Sequence, residues 1–493
     1  MTEYEPVIGL EIHTELATRT KMFCDCLNDP DEKTPNTNIC PICLAHPGTL
    51  PVANKAAIEK VILVGMALHA DIPAYSQFDR KNYFYPDLPK GYQISQYEHP
   101  FVKEGYLDIK LANGAERRIR ITRVHLEEDT GRLQHDKTGE RSLVDFNRAG
   151  IPLMELVTEP DMRSAEEARR FGEELQRIIR YVGASDADME KGEMRVEANV
   201  SIRPKGAKEF GTKVEVKNIN SFRNAEKAIE YEVRRQAKVL ESGEKVVQET
   251  RGWDDVNEVT VSQRTKEGAK DYRYFPEPDL PPLMIDQKWL AEIRSRLTEL
   301  PGAKRLRFQK EYGLDDKTIE LFISDPHLAQ FFEQVVSEMS AWLEADGVPE
   351  NRRRAVRLAA NYLTSDLQSL RKSSGGQSMG NVTAENFGEL VALVYEDKIS
   401  SAGAKQILTE MFQSGGDPSD IMETRGLVQE SSDEFLREIV GTVIKNNPDI
   451  ITSVRAGKTT AVQALVGAAM KASQGKGNPA RLRELIDDAI QTV

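Results

Sequence analysis

The chain has 493 residues, 39% of them hydrophobic, and a formal charge of −13 at pH 7. That length predicts two or three domains, and the acidic balance excludes a protein that coats nucleic acid over its whole surface, leaving room for a local basic patch. No run of about eighteen apolar residues occurs, and the acidic start MTEYEPVIG has neither a signal core nor an Arg-rich transit pattern, so a soluble cytoplasmic protein without a membrane segment is expected.

The first predicted element is a strand, VIGLEIHTEL. Its alternation puts Leu10, Ile12 and Leu16 on one face and Glu11, His13 and Glu15 on the other. FCDCLND and ICPICLAH follow, carrying all four cysteines of the chain: Cys24, Cys26, Cys40 and Cys43. Two close pairs thirteen residues apart can give four thiolates to one tetrahedral Zn²⁺. With four protein ligands that zinc is closed to water, so it braces a loop and does no chemistry.

Next comes DRKNYFYPDLPKGYQISQYEHPF, Asp79 to Phe101, with KDYRYFPEPDLPP as a later echo. Aromatic residues such as Tyr83 and Tyr85, interleaved with Arg80, Lys81 and Lys90, suit either the stacking of single-stranded bases with phosphate contacts or plain core packing. RVHLEEDTGR ends an alternating run with Glu127, Glu128 and Asp129, and GIPLMELVTEP sets Glu155 inside an apolar segment, where a carboxylate is costly unless paired or metal-bound. Carboxylates with one imidazole suit a hard cation such as Mg²⁺. Pairing with nearby Arg or Lys is the plainer alternative. RVEANVSI and TKVEVKN repeat the design of an apolar back and a charged front, with Arg195, Lys213 and Lys217 as candidate contacts for phosphate or carboxylate.

The texture predicts an α+β body over residues 1–286, then an all-α region over 287–381 that ends in the flexible composition KSSGGQSMGN, then a helical tail over 382–493. In the tail Arg455, Lys458, Lys471, Lys476, Arg481 and Arg483 fall in a span without an acidic residue, a patch able to grip RNA phosphates. RAGKTT is not a phosphate loop, because position 452 is Thr where the motif requires Gly.

Five motifs in order, VIGLEIHTEL, DRKNYFYPDLPKGYQISQ, DFNRAGIPLMELVTEPD, GTKVEVKNINSF and DYRYFPEPDLPPL, resemble the B-subunit family of bacterial aspartyl/glutamyl-tRNA amidotransferases over essentially the whole chain. The resemblance implies a cradle similar to glutamine synthetase and a YqeY-like tail that contacts tRNA. It implies that ATP phosphorylates the side-chain carboxylate of Glu or Asp misacylated onto tRNA(Gln) or tRNA(Asn), after which ammonia displaces phosphate. Ammonia is implied to come from an amidase A subunit, held together with this chain by a small C subunit. The family pattern implies that Mg²⁺ is held by Glu11, His13, Glu128 and Glu155. The choice of Glu128 over Glu127 follows the family motif alone.

Two further readings stand beside this one: a tRNA-binding zinc scaffold without catalysis, and a free-standing ATP-dependent ligase for a small acid.

Overall fold

The computed structural model describes residues 3–29, 31–136, 138, 140–265, 272–344, 349–375, 378–429, 432–455, 461–473 and 476–492. The chain is α+β, and it divides into a unit from Met1 to Pro301 and a second from Gly302 to Val493.

The strands used below are β1 Tyr4–Glu15, β2 Asp79–Asn82, β3 Tyr92–Ser95, β4 Glu116–Glu128, β5 Pro152–Thr158, β6 Met194–Pro204, β7 Val214–Ile219, β8 Glu249–Asp254 and β9 Val259–Thr265. A nine-stranded sheet runs β9-β8-β7-β6-β1-β5-β4, with Val102–Lys103 and Tyr106–Lys110 also on β4. Every pairing is antiparallel except β7 with β8. A smaller sheet places β2 between β3 and Phe275–Pro276, so the two aromatic motifs of the sequence meet on β2.

One face of the large sheet is apolar because the strands alternate. Ile8, Leu10, Ile12, Leu156, Val196 and Val216 are buried there in one core with helices α1 (Lys55–Ala67), α2 (Ala165–Tyr181) and α3 (Phe222–Glu241). Each helix starts on a side-chain cap: Asn54, Ser164 and Ser221 accept from amides of the first turn. Gly172 lets α2 and α3 close, since a Cβ there would stand 2.5 Å from the Phe222 ring.

The same helix drives a charge inward. Glu232, fully buried, accepts from Arg235 Nη2 at 2.6 Å, Gln236 Nε2 at 2.9 Å and Thr260 Oγ1 at 3.0 Å, and stands 3.6 Å from Arg251 Nε. Removing one member of such a pair leaves buried charge uncompensated, at a cost of about 3–5 kcal/mol. Glu232→Ala is expected to lower the melting temperature of this unit by roughly 10 °C in calorimetry, with Glu232→Gln intermediate.

The expected division at 286 falls elsewhere. Helix Gln287–Arg294 puts Ile293, Trp289 and Leu290 on the same core, so the first unit continues to Pro301. No core boundary falls at 381 either: Val382 and Phe387 share one cluster with Phe332 and Leu363, whereas Leu436, Leu465 and Ile486 belong to another. Residues on both sides of the short Gly-Ser segment therefore pack in one module, and the two apolar clusters of the second unit part after Leu427.

Candidate functional site

The polar face of the large sheet carries the site. Register places His13 of β1 opposite Glu155 of β5 and Arg195 of β6, and Glu155 opposite His125 of β4. Directly opposed residues share a face, so His125, Glu155, His13 and Arg195 form one row across four strands. Glu127, two residues beyond His125, points the same way. Glu155 Oε2 lies 3.3 Å from His13 Nε2 and 3.3 Å from His125 Nε2, and Glu127 Oε1 lies 3.8 Å from His13 Nε2.

These groups hold each other's charge. Burial alone would raise the Glu155 pKa, but His125 and His13 keep it well below the ordinary value. Burial likewise opposes the charge of Lys81, yet Glu127 and Glu155 beside it raise its pKa. Glu127 is lowered in turn: burial works against ionisation, and Lys81 is the largest opposing influence. His13 is raised to about 9, its burial outweighed by the hydrogen bond to Glu155 and the surrounding carboxylates.

His13, Glu127 and Glu155 can bring one ligand atom each within 4.8 Å of the others, as can Glu11, Glu197 and Glu215 one row away. Two carboxylates with an imidazole, and three carboxylates, are donor sets that fit hard divalent cations. Glu11 accepts from Asn199 Nδ2 at 2.8 Å, and Lys217 Nζ bridges Glu197 at 2.7 Å and Glu215 at 3.4 Å. Arg195 donates to Asp129 Oδ2 at 2.7 Å, with Arg148 Nε at 3.6 Å from the same oxygen. Glu15 is pushed up to about 7, first by burial and then by Asp129, against Arg195 and Arg148.

Glu128, expected beside His13, lies apart from it in the structure. It follows Glu127 on the same strand and therefore points to the opposite side, where its oxygens accept from Lys90 Nζ at 2.7 Å and Ile94 N at 2.9 Å. Lys90 is drawn to that side with it. Tyr83 stands near Lys81 and Glu127, Tyr85 is exposed, and Lys213 is exposed one residue before β7. Alternation in sequence sets Glu197, Asn199 and Glu215 on the charged fronts of their strands without assigning them a ligand role, and it passes over His125, although strict alternation from Glu127 back to His125 carries that signal.

The four cysteines also converge, with one sulfur of each within 4.8 Å of the rest. Zn–S bonds of about 2.3 Å set tetrahedral sulfurs about 3.8 Å apart. Cys40 and Cys43 Sγ are 3.9 Å apart. Cys43 is lowered to about 5, chiefly by the Cys24 thiol, against its burial and with help from the buried Lys21 ammonium. The thiols of Cys24, pushed up chiefly by Cys43, and Cys26, pushed up to about 12 chiefly by burial, show how crowded with negative charge this cluster becomes. The donor set fits a structural zinc.

A family model described as the GatB/GatE catalytic domain matches residues 6–291. The chain belongs to the GatB/GatE family. A second model, described as a GatB domain, matches residues 349–490. The B subunits of aspartyl/glutamyl-tRNA(Asn/Gln) amidotransferase from Caldicellulosiruptor saccharolyticus, Persephonella marina and Brevibacillus brevis are 46%, 46% and 44% identical to it. Alignment covers 100%, 99% and 100% of this chain and 100% of each relative.

Within the region matched by the GatB domain, Lys471, Lys476 and Arg483 are exposed. Arg481 forks onto Asp433 at 2.7 and 2.9 Å and reaches Glu484 at 2.7 Å, tying helix Pro479–Thr492 to Asp433–Asn446. Arg455 closes helix Pro448–Arg455, and Lys458 lies outside the described residues. Among the described residues no helix of this GatB/GatE family member is long and apolar enough to cross a membrane.

Proposed function

We propose that this chain is the kinase and transamidase subunit of a tRNA-dependent amidotransferase in the cytoplasm. In this reading, ATP phosphorylates the side-chain carboxylate of Glu or Asp misacylated onto tRNA(Gln) or tRNA(Asn). A carboxylate resists ammonia because oxide is a poor leaving group. Transfer of the γ-phosphoryl group to a carboxylate oxygen gives ADP and an acyl phosphate. Ammonia then bonds to the acyl carbon, phosphate departs with its electron pair, and a proton is lost to leave the amide.

The observation that carries this reading is the convergence of His13, Glu127 and Glu155 beside Lys81 on one sheet face. Phosphoryl transfer asks a protein for positioning and charge neutralisation, with no covalent nucleophile. His13, Glu127 and Glu155 would hold one Mg²⁺, and Glu11, Glu197 and Glu215 a second. Bound Mg²⁺ supplies neutralisation of phosphate charge. Lys81, Lys217 and Arg195 are oriented by their carboxylate partners toward the same face and would steady transferring phosphate or substrate carboxylate. Glutamine hydrolysis belongs to an amidase A partner, and a small C subunit completes the complex. The name that the relatives carry supports the tRNA substrates.

The test is ADP release by the complex with its A and C partners, driven by Glu-tRNA(Gln) or Asp-tRNA(Asn). Release with misacylated tRNA and none with the correctly charged product is expected, and a complex that binds tRNA without ADP formation would leave the chain a scaffold. In the tail, Lys471→Glu with Lys476→Glu is expected to raise the KM for tRNA about 10-fold and to reduce the slope of log KM against log salt by about 2, with kcat kept.

A further inference from the structure

The three carboxylates Glu11, Glu197 and Glu215 share their patch of the sheet with an ammonium group. Glu11 of β1 stands directly opposite Glu197 of β6, and Glu215 of β7 stands opposite Asn199, so three negative charges crowd one place on the polar face. Like charges opposed across strands repel. Lys217 follows Glu215 by two residues and so shares its face of β7. Its Nζ relieves that repulsion, lying 2.7 Å from Glu197 Oε2 and 3.4 Å from Glu215 Oε1. The carboxylates have anchors of their own: Glu215 Oε2 accepts from Thr250 Oγ1 at 2.7 Å, and Glu11 Oε1 accepts from Asn199 Nδ2 at 2.8 Å.

The geometry makes this lysine exchangeable. Oxygens within 4.8 Å of one another lie no more than about 2.8 Å from a common centre, the length of an ammonium hydrogen bond, whereas Mg²⁺ draws its ligands to about 2.1 Å. So small a space holds one cation. A divalent ion on the same oxygens would stand close enough to the ammonium to repel it. Lys217 has room to leave, since 39% of its side chain is exposed and its stem is flexible. Asn199 supplies a further donor, for its Oδ1 is buried without a hydrogen-bond partner and the ammonium leaves it unused. A hard cation takes such an amide oxygen together with carboxylates.

We propose that Lys217 competes with the second divalent cation for Glu197 and Glu215, and on yielding them carries its ammonium to a phosphate oxygen bound to that cation. This inference rests on the activity proposed above and adds the order of events at one of its two cation positions. Mg²⁺ binds through a few carboxylates together with substrate phosphates, so the phosphate arrives within the sweep of the four-carbon stem. Lys217 thus ties its own contact with phosphate to the filling of the second position. Nucleotide that arrives without its metal meets an ammonium still engaged by carboxylates.

The experiment uses the complete complex. Mn²⁺ alone is titrated first, with the free ion followed by electron paramagnetic resonance. Wild type is expected to bind a second Mn²⁺ at least about 10-fold more weakly than the first, and Lys217→Met to tighten the second about 10-fold while leaving the first within about twofold. Lys217→Arg, which keeps a competing cation, is expected to leave the second weak. Crystals of the wild-type complex with Mn²⁺ and a non-hydrolysable ATP analogue are then expected to show anomalous scattering at the three carboxylates, with Nζ beyond about 4 Å from Glu197 and Glu215 and hydrogen-bonded to a phosphate oxygen. A second Mn²⁺ affinity that ignores Lys217→Met overturns the proposal. So does Mn²⁺ at the three carboxylates with Nζ still between Glu197 and Glu215, or a Lys217→Met complex of wild-type melting temperature that binds only one Mn²⁺. If Lys217 yields to Mn²⁺ as expected but the complex forms no ADP from misacylated tRNA, the activity reading fails and the exchange stands.

Discussion

Glu155→Gln and Glu127→Gln, each made in the full complex, are expected to lower tRNA-driven ADP release by about 10²–10³-fold, with glutaminase activity of the partner retained. Both substitutions keep side-chain volume and remove the charge. Glu155 stands between His13 and His125 at 3.3 Å from each, and Glu127 stands between His13 and Lys81, so each loss leaves cations facing a neutral amide. Glu128→Gln is expected to cost less than about threefold in kcat, because its carboxylate serves Lys90 and Ile94 N on the other side of the strand. The contrast is decisive, since the residues are adjacent and equally buried. A Glu128→Gln enzyme as crippled as Glu127→Gln, with its melting temperature intact, would overturn the assignment of faces.

That contrast also marks where the sequence could be read and where it misled. Period-two alternation gave β1 and the direction of Glu11, His13 and Glu15 correctly, because one buried face fixes the register of a strand. The same rule, applied from Leu126 in the core, puts His125 and Glu127 together and excludes Glu128. The family motif points to Glu128, whereas this alternation points to Glu127, the residue that converges with His13 and Glu155. Convergence of β1 with β5 and β6 was beyond the sequence, since pairing across more than a hundred residues depends on register that no local pattern states. Lys90 illustrates the same limit: its partner Glu128 lies 38 residues away. The helical region misled in another way, because Gly and Ser composition marks a turn equally well inside a packed module and between two.

Chelation of zinc, or Cys40→Ser, is expected to lower the melting temperature of the first unit by roughly 5–10 °C. A tetrahedral ion joining Cys24 and Cys26 to Cys40 and Cys43 closes a short loop, and such a cross-link is worth about 3 kcal/mol in chain entropy. The loss is smaller than in an isolated zinc finger because protein contacts also hold the loop. Asn36 and Asn147 lace it to the strand that ends at Asp145, through Asn36 N to Asp145 Oδ1 at 3.0 Å and Thr37 N to Asn147 Oδ1 at 2.8 Å. A path leads from the loop to the site. Met22 N donates to Gly150 O at 2.7 Å, Gly150 N donates to Asp129 O at 2.9 Å, and Asp129 takes the Arg195 guanidinium. Zinc loss is therefore expected to reduce kcat severalfold at temperatures where the unit stays folded, and to leave the tail's affinity for tRNA unchanged. Metal analysis showing one zinc per chain, lost in Cys40→Ser, must accompany the shift. A chain without zinc whose melting temperature ignores both treatments would make the four cysteines simple thiols and leave the packing of Met22 and Phe23 to hold the loop alone.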